Sequence, residues 1–541
     1  MARVDHSVVR LLTKVYRGLG SPVARRAARL VELGEWRQLQ ELPAIDPQSY
    51  ADYQSFKRDY QAREFFRKVE LPGDDRRRSE TALETFMSSE RQNALTNARL
   101  AKYIHNGPYD PQDMLVHDFI CRWRQNCERV LGRLPERLTP LFTPGSTLTD
   151  LGPQITIPDK MSSQLSLYPN MVDIWNHSVC GIGPLDRAHN ALIVKSNRYF
   201  TVPKDSSTYR SCCVEASGAV MLQRSVGVAI RERYDRAYSV RLAHAQSNHW
   251  EWARKGSLDG SVATIDLKSA SDTICRNLVT LVIPESWLSL LLDLRASSTE
   301  VKGKILFNEK FSSMGNGFTF ELETLLFRTL LETLGCSIAY TFGDDLIVDT
   351  EHVPDVLAAL AFFGFTPNPK KTFCEGPFRE SCGGDYFRGE WVTPARMKKL
   401  PDEPQHWIVI ANMLRAADPG LTWAAAAWHY CIGQLPSNWR LFGPDWVGDG
   451  LIHDPGARPV WRKTKSYNGP GYFYHRPLPR TVRLERHFKP EVVLKSAVLG
   501  VDHDVSLRGK IDGYKLSFVP AYGLGGEPFE ALRTAFLGKL N

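Results

Sequence analysis

The chain has 541 residues, 43% of them hydrophobic and 11% aromatic, with a formal net charge of +8 and a pI near 8.9. Such a length calls for several lobes around one large body, and no run approaches the roughly 20 apolar residues that a membrane-spanning helix needs. The positive surplus fits a polyanionic partner and equally a solubility feature, while the ten cysteines lack the paired spacing of a zinc ribbon.

The N-terminus has neither the uninterrupted apolar core nor the cleavage site of a secretory signal, so a reducing cytoplasm is the expected home for these thiols. Arg10, Lys14 and Arg17 would suit an organellar transit peptide, but Asp5, Glu32 and Glu35 are out of place in one. Residues 1–190 read as mainly helical: Val8, Leu11, Leu12 and Val15 recur at helical spacing, as do Leu95, Leu100 and Tyr103. Breaks fall at Gly107–Pro111 and near Pro140, Pro144 and Pro153. Ala191–Pro203 reads as extended strand.

The middle of the chain alternates strand and helix. Val262–Leu267 is a short strand, Ile274–Leu281 and Trp287–Leu294 are helical, Lys302–Phe311 is a hairpin and Gly317–Leu334 a long helix. Ile338–Val348 reads as two strands around a tight turn, followed by a helix over Val353–Phe363. The pattern is α+β rather than doubly wound. Beyond residue 400, helices are expected at His406–Ala417 and Thr422–Ile432, before a basic and aromatic tail.

Two acids carry the chemistry of this middle region. Asp344 and Asp345 follow Gly343 at the tip of the expected hairpin, flanked by apolar strands. Adjacent carboxylates repel, so such a turn makes chemical sense if a divalent cation neutralises them. A Gly-Asp-Asp tripeptide arises by chance in about one chain in ten of this length, and a solvated turn is the plain alternative. Asp266 ends the Val262–Leu267 strand, with Asp272 six residues on. If the two strand units are neighbours in one sheet, Asp266 faces Asp344 across a pair of metal ions, the arrangement that phosphoryl transfer needs. Alone, Asp266 reads more readily as a strand-end or helix-capping acid.

Taken in order, Ala263–Asp272, Ser313–Glu323, Gly343–Asp345, Gly364–Asn368, Lys370–Phe373 and Phe378–Gly383 resemble the catalytic subunit of the single-stranded RNA bacteriophage replicases, which are RNA-dependent RNA polymerases. The resemblance is strong from Thr201 to Gly389 and weak outside. It implies a right-hand polymerase fold of fingers, palm and thumb: residues 1–190 as an N-terminal helical region with part of the fingers, 191–261 as fingers with nucleotide-binding strands, 262–400 as palm, and 401–541 as thumb with the basic aromatic region.

The resemblance also implies roles. Asp266, Asp344 and Asp345 look like metal ligands, with the Leu267 carbonyl a fourth, for two Mg²⁺ ions or Mn²⁺ in their place. Asp272 matches the ribose-sensing position, close to a Gly315–Thr319 loop expected beside template and nucleotide, with Gly315, Asn316 and Thr319 as nucleotide-binding residues. Glu323 stands where many viral RNA polymerases carry asparagine, which leaves the sugar-sensing bonds open. Thr201–Lys204, Arg210 and Glu215 resemble the segment that holds the triphosphate, where fixed cations suit phosphate oxygens. Lys371 matches the lysine that protonates pyrophosphate, with Lys370 an adjacent alternative.

From Trp461 through Arg462, Lys463, Lys465, Tyr472, Tyr474, Arg476, Arg480, Arg483 and Arg486, cations interleave with aromatics, which suits a single-strand RNA surface and equally a thumb with an aromatic core. The expected activity is primer-independent copying of an RNA template from nucleoside triphosphates in the cytoplasm of an infected bacterium. Host elongation factors Tu and Ts and a ribosomal RNA-binding protein are the partners that the resemblance implies. The rivals are a reverse transcriptase, against which Asp272 argues because such enzymes usually place a bulky residue there, and a non-catalytic RNA-binding protein on a polymerase fold.

Overall fold

The computed structural model describes residues 4–105, 107–143, 145–152, 155–179, 190–464, 467–479, 488–499 and 511–521. Pro144, Pro153, Lys465, Arg480, Arg483 and Arg486 lie outside them.

At the centre is a three-stranded antiparallel sheet in which Asp345–Asp349 runs between Val262–Asp266 and Ala339–Phe342. Val262, Ala263, Ile265, Leu346, Ile347 and Val348 are buried, as expected for strands covered on both faces. The helix Thr319–Thr333 packs against this sheet through Leu322, Leu325, Leu326 and Leu330, in one core with Val353, Val356 and Leu360 of the following helix. Mixed helix and sheet agree with the α+β expectation.

A second sheet of four strands orders Tyr209–Val214, Asn197–Pro203, Ser298–Val301 and Lys304–Phe307. Its hairpin thus begins at Ser298, four residues before the expected start, because the polar run Ser298–Glu300 pairs in parallel with Asn197–Arg198 and carries no apolar alternation. The strand expected over Ala191–Pro203 is broken into Leu192–Ile193 and Asn197–Pro203, which join different sheets.

The helix Asp75–Ile104 has 30 residues, about 45 Å at 1.5 Å per residue, and ties these parts together. Its buried polar residues reach across: Asn93 Nδ2 donates to the Asp272 carbonyl at 2.7 Å, and Asn97 Nδ2 to the Glu309 carbonyl at 2.8 Å. The largest core among the described residues takes in Leu100 through Phe365, together with Val492, and so crosses the chain positions 190 and 261. A second core joins Val8, Leu12, Tyr16, Phe65 and Phe66 to Trp407, Ile408, Leu414 and Trp428. The first seventy residues therefore share a core with the helices Pro404–Ala417 and Ala425–Gly433.

Three described stretches of the C-terminal region are strands. Val460–Lys463, Asn468–Pro479 and Ile511–Pro520 form an antiparallel sheet, hidden from periodicity by Gly469, Pro470 and Gly471. Trp461 and Arg476 are exposed, whereas Arg462 lies over the rings of Phe473 and Phe518 at 5.3 and 5.1 Å. No helix among the described residues is long and apolar enough to cross a membrane.

Candidate active site

Strand register brings the acids together. Asp266 is the cross-strand partner of Asp345, so their side chains leave the same face of the sheet, and the two-residue turn Gly343-Asp344 closes the hairpin beside them. Gly343 has φ 60°, a left-handed conformation that L side chains enter at a cost, and a Cβ there would lie 3.0 Å from Phe320 Cε2. The turn is fixed from below: the Gly343 N–H donates to Thr324 Oγ1 at 3.0 Å.

Both oxygens of Asp266 are held. Asn368 Nδ2 donates to Oδ2 at 2.8 Å and Lys371 Nζ to Oδ1 at 3.0 Å, while the Asn368 backbone N–H donates to the Asp266 carbonyl at 2.7 Å. Lys371 also lies 3.6 Å from Glu380, and these two carboxylates push its ammonium well above the ordinary lysine range. Lys370 is exposed, and its side chain joins neither acid. Of the two adjacent lysines, Lys371 is therefore the one at the site.

The acids crowd one another. Burial, then the Asp266 charge, raises Asp344; burial, then Glu380 and Asp344, pushes Asp345 up to about 7. Beneath them Glu323 is buried at 6% exposure, with Oε1 lacking a hydrogen-bond partner, and burial followed by the charges of Asp344, Asp272 and Asp345 holds it well above the carboxylate range. Cys382, at the tip of the Phe378–Ser381/Gly384–Phe387 hairpin, sits beside Asp345, and burial and that carboxylate raise its thiol.

A profile of the family described as RNA replicase, beta-chain, matches residues 22–420. The chain belongs to that family. It is 40% identical over 269 residues to the RNA-directed RNA polymerase subunit beta of Enterobacteria phage SP, covering 48% of this chain and 46% of the relative. It is 38% identical over 285 residues to the RNA-directed RNA polymerase beta chain of Escherichia phage MS2, covering 50% and 51%. With the RNA-directed RNA polymerase subunit beta of Escherichia virus Qbeta it shares 32% over 401 residues, 69% of this chain and 65% of the relative. The chain thus spans about half the length of the first two relatives, and its C-terminal sheet lies beyond the stretch that the family profile matches.

The remaining residues expected at the site of this replicase beta-chain relative are placed unevenly. Lys204 and Arg210 are exposed near the ends of Asn197–Pro203 and Tyr209–Val214, and the Lys204 charge reaches far enough to favour ionised Asp344. Asp272 is committed to a buried ion pair, with Lys310 Nζ donating to Oδ1 at 2.8 Å and lying 3.7 Å from Glu90. The Gly315–Thr319 loop is packed inward. A Cβ on Gly315 would stand 2.2 Å from the Cys213 carbonyl and one on Gly317 2.7 Å from the Arg224 nitrogen, so both glycines allow close backbone approach. Asn316 Oδ1 accepts from the Phe318 N–H at 3.0 Å, and Thr319 Oγ1 donates to Ser312 Oγ at 3.0 Å. Glu215 is a buried anchor that accepts from Tyr168, Asn197 and Gln223.

Sequence reasoning did not assign Asn368, Glu380, Lys310 or Thr324. Asn368 and Glu380 lie inside the segments that carried the family resemblance, and that was their only signal; nothing in residue type marks Lys310 or Thr324.

Proposed function

We propose that this chain is an RNA-directed RNA polymerase that replicates a single-stranded RNA phage genome by nucleotidyl transfer, starting without a primer. The observation that carries the reading is the convergence of Asp266, Asp344 and Asp345 at one end of an antiparallel strand pair, with Lys371 on the rim. Family membership points to the same activity. On this reading the central sheet is the palm, the Asn197–Pro203 sheet belongs to the fingers, and the region beyond residue 400 is the thumb.

The donor set fits Mg²⁺, a hard cation that takes oxygen ligands and keeps several waters or phosphate oxygens. The raised acids and the unpartnered oxygen of Glu323 mark a pocket of excess negative charge that such ions relieve. Asp266, Asp344 and Asp345 would hold two ions, with the Leu267 carbonyl alongside and Mn²⁺ an acceptable substitute. When bound, the ions lower the pKa of the attacking 3′-hydroxyl and offset charge on the pyrophosphate leaving group.

The chain's own residues supply the rest. Lys204 and Arg210 take the triphosphate, their exposed cations facing the phosphate oxygens of the entering nucleotide. Asn368 keeps the Asp266 carboxylate turned toward the reacting centre. Lys371 carries the proton that the leaving pyrophosphate takes up. Asp272, clamped by Lys310, presents its remaining oxygen for the ribose hydroxyls, and Glu323 feels the charges of both Asp272 and the turn acids. Gly315, Asn316 and Thr319 set the position of that sugar pocket by packing rather than by direct contact.

RNA template and product are the polyanionic partners of the basic chain, in the cytoplasm of an infected bacterium, with elongation factors Tu and Ts and a ribosomal RNA-binding protein as host subunits. Incubation with an RNA template and either ribonucleotides or deoxyribonucleotides tests the reading. Ribonucleotide incorporation is expected; preferential use of deoxyribonucleotides would make the chain a reverse transcriptase instead.

A further inference from the structure

A cavity of about 150 Å³ lies between the helices Ser217–Tyr238, Ala245–Asp259 and Thr319–Thr333 and the strand Ala339–Phe342. None of the acids of the candidate active site lines it. Its walls are aromatic, with Tyr234, Tyr238 and Tyr340 facing it, and the polar side chains of Arg328, Asn248 and His249 join them, the His249 ring bonded to Ser381 through Nδ1 and unpartnered at Nε2.

Arg328 is the informative residue. Its guanidinium stands 4.3 Å from the centroid of the Tyr238 ring, yet it makes no ion pair or hydrogen bond among the described residues. Arg129, the other cation over that ring, is by contrast bonded to Glu332 at 2.6 and 2.7 Å, and the Tyr238 hydroxyl donates to the same carboxylate at 2.8 Å. Glu332 is therefore already engaged, and among the described residues no carboxylate stands within ion-pair distance of Arg328, whose one close partner is the Tyr238 ring. The Asn248 amide and the Tyr340 hydroxyl likewise have no hydrogen-bond partner among the described residues. A half-buried guanidinium suits a phosphate by its forked geometry, aromatic faces suit a planar ring, and a side-chain amide can pair with the edge of a base. A cavity of about 150 Å³ holds a single aromatic ring.

We propose that this cavity takes the base of a pyrimidine nucleoside monophosphate between the tyrosines, with the ribose outside it and the phosphate on the partly exposed Arg328. The site is joined to the Asp344 turn by hydrogen bonds. Tyr234 Oη and Thr341 Oγ1 are 3.0 Å apart, Thr341 Oγ1 donates to the Thr324 carbonyl at 3.2 Å, and Thr324 Oγ1 accepts from Gly343. Binding here needs no acid of the active site and would hold for a chain without polymerase activity.

The test is photo-crosslinking of the full chain with 4-thiouridine 5′-monophosphate in EDTA, followed by peptide mapping. Adducts are expected at Tyr238 or Tyr340, removed by excess UMP but not by equal concentrations of GMP or inorganic phosphate. Arg328→Ala should weaken labelling about tenfold, as loss of a charge-assisted bond implies, whereas Asp344→Asn should leave it unchanged. If Arg328→Ala melts early, Asn248→Ala serves as the second variant and should also weaken labelling. Absence of adducts at these tyrosines, full labelling of both variants, or inorganic phosphate competing as well as UMP would overturn the proposal.

Discussion

Lys371 holds its ammonium 3.0 Å from Oδ1 of Asp266, and Glu380 lies 3.6 Å from the same nitrogen. A lysine fixed between two carboxylates stays protonated, which is what a donor to pyrophosphate needs. Lys371→Ala is expected to lower the incorporation rate by about 10²-fold or more, the usual scale of general-acid help. Lys370→Ala, at an exposed position outside the acid cluster, should leave the rate close to that of the parent; single-turnover incorporation of one nucleotide separates the two.

Asn368 orients a metal ligand without touching the metal position itself. Removing its amide in Asn368→Ala leaves the backbone bond to Asp266 and the Lys371 bond to Oδ1 in place and releases Oδ2, loosening the carboxylate. Partners of this kind typically cost about 10–100-fold in metal affinity or activity when lost. The expected sign is a higher Mg²⁺ concentration for half-maximal incorporation, with activity partly restored by excess Mg²⁺.

The crowded acids make the cation-free protein pH-sensitive. Asp345 moves from 3.8 to about 7 on folding, so between those values the folded chain binds more protons than the unfolded one. Stability therefore falls as pH rises through that window, and the loss is complete above about pH 7. Asp344 and Glu323 are raised as well and act in the same direction. Thermal melting in EDTA, read as the difference between the parent and Asp345→Asn so that groups remote from the acid cluster cancel, should show the parent losing ground from pH 4 to 7. Saturating Mg²⁺ should remove most of that difference at neutral pH.

Gly343→Ala tests the turn. A non-glycine residue in the left-handed region costs roughly 1–2 kcal/mol, and here the added Cβ also meets Phe320 at 3.0 Å. A lower melting temperature is expected together with a lower incorporation rate, because the residue that shifts is next to Asp344.

The hairpin around Asp344 and the strand ending at Asp266 were legible in the sequence because apolar strands, a glycine and acids coincide over a few residues. Their pairing was legible only as a condition, since nothing local says that residue 266 meets residue 345. Asn368 and Glu380 reach the acids from a hundred or more positions downstream of Asp266, and Lys310 is a buried cation whose burial only the fold reveals. The Ser298–Val301 strand and the C-terminal sheet escaped for a different reason: polar residues in the first and Gly469, Pro470 and Gly471 in the second suppress the alternation that marks a strand. The Gly315–Thr319 loop was expected at the nucleotide from the family resemblance alone, its glycines by themselves reading as an ordinary turn, and the close approach to Cys213 and Arg224 is invisible without coordinates.

The most direct test of the central claim, that Asp266, Asp344 and Asp345 form one metal-dependent polymerising centre, is a paired measurement on Asp344→Asn: Mg²⁺-dependent ribonucleotide incorporation and RNA-template binding under the same conditions. Incorporation is expected to fall by about 10³-fold or more, given several kcal/mol of metal-derived stabilisation at a tenfold change per 1.36 kcal/mol, with template binding largely retained. With bacterial extract supplied, incorporation at the parent rate, or no incorporation by the parent protein with template binding intact in both, would contradict the claim.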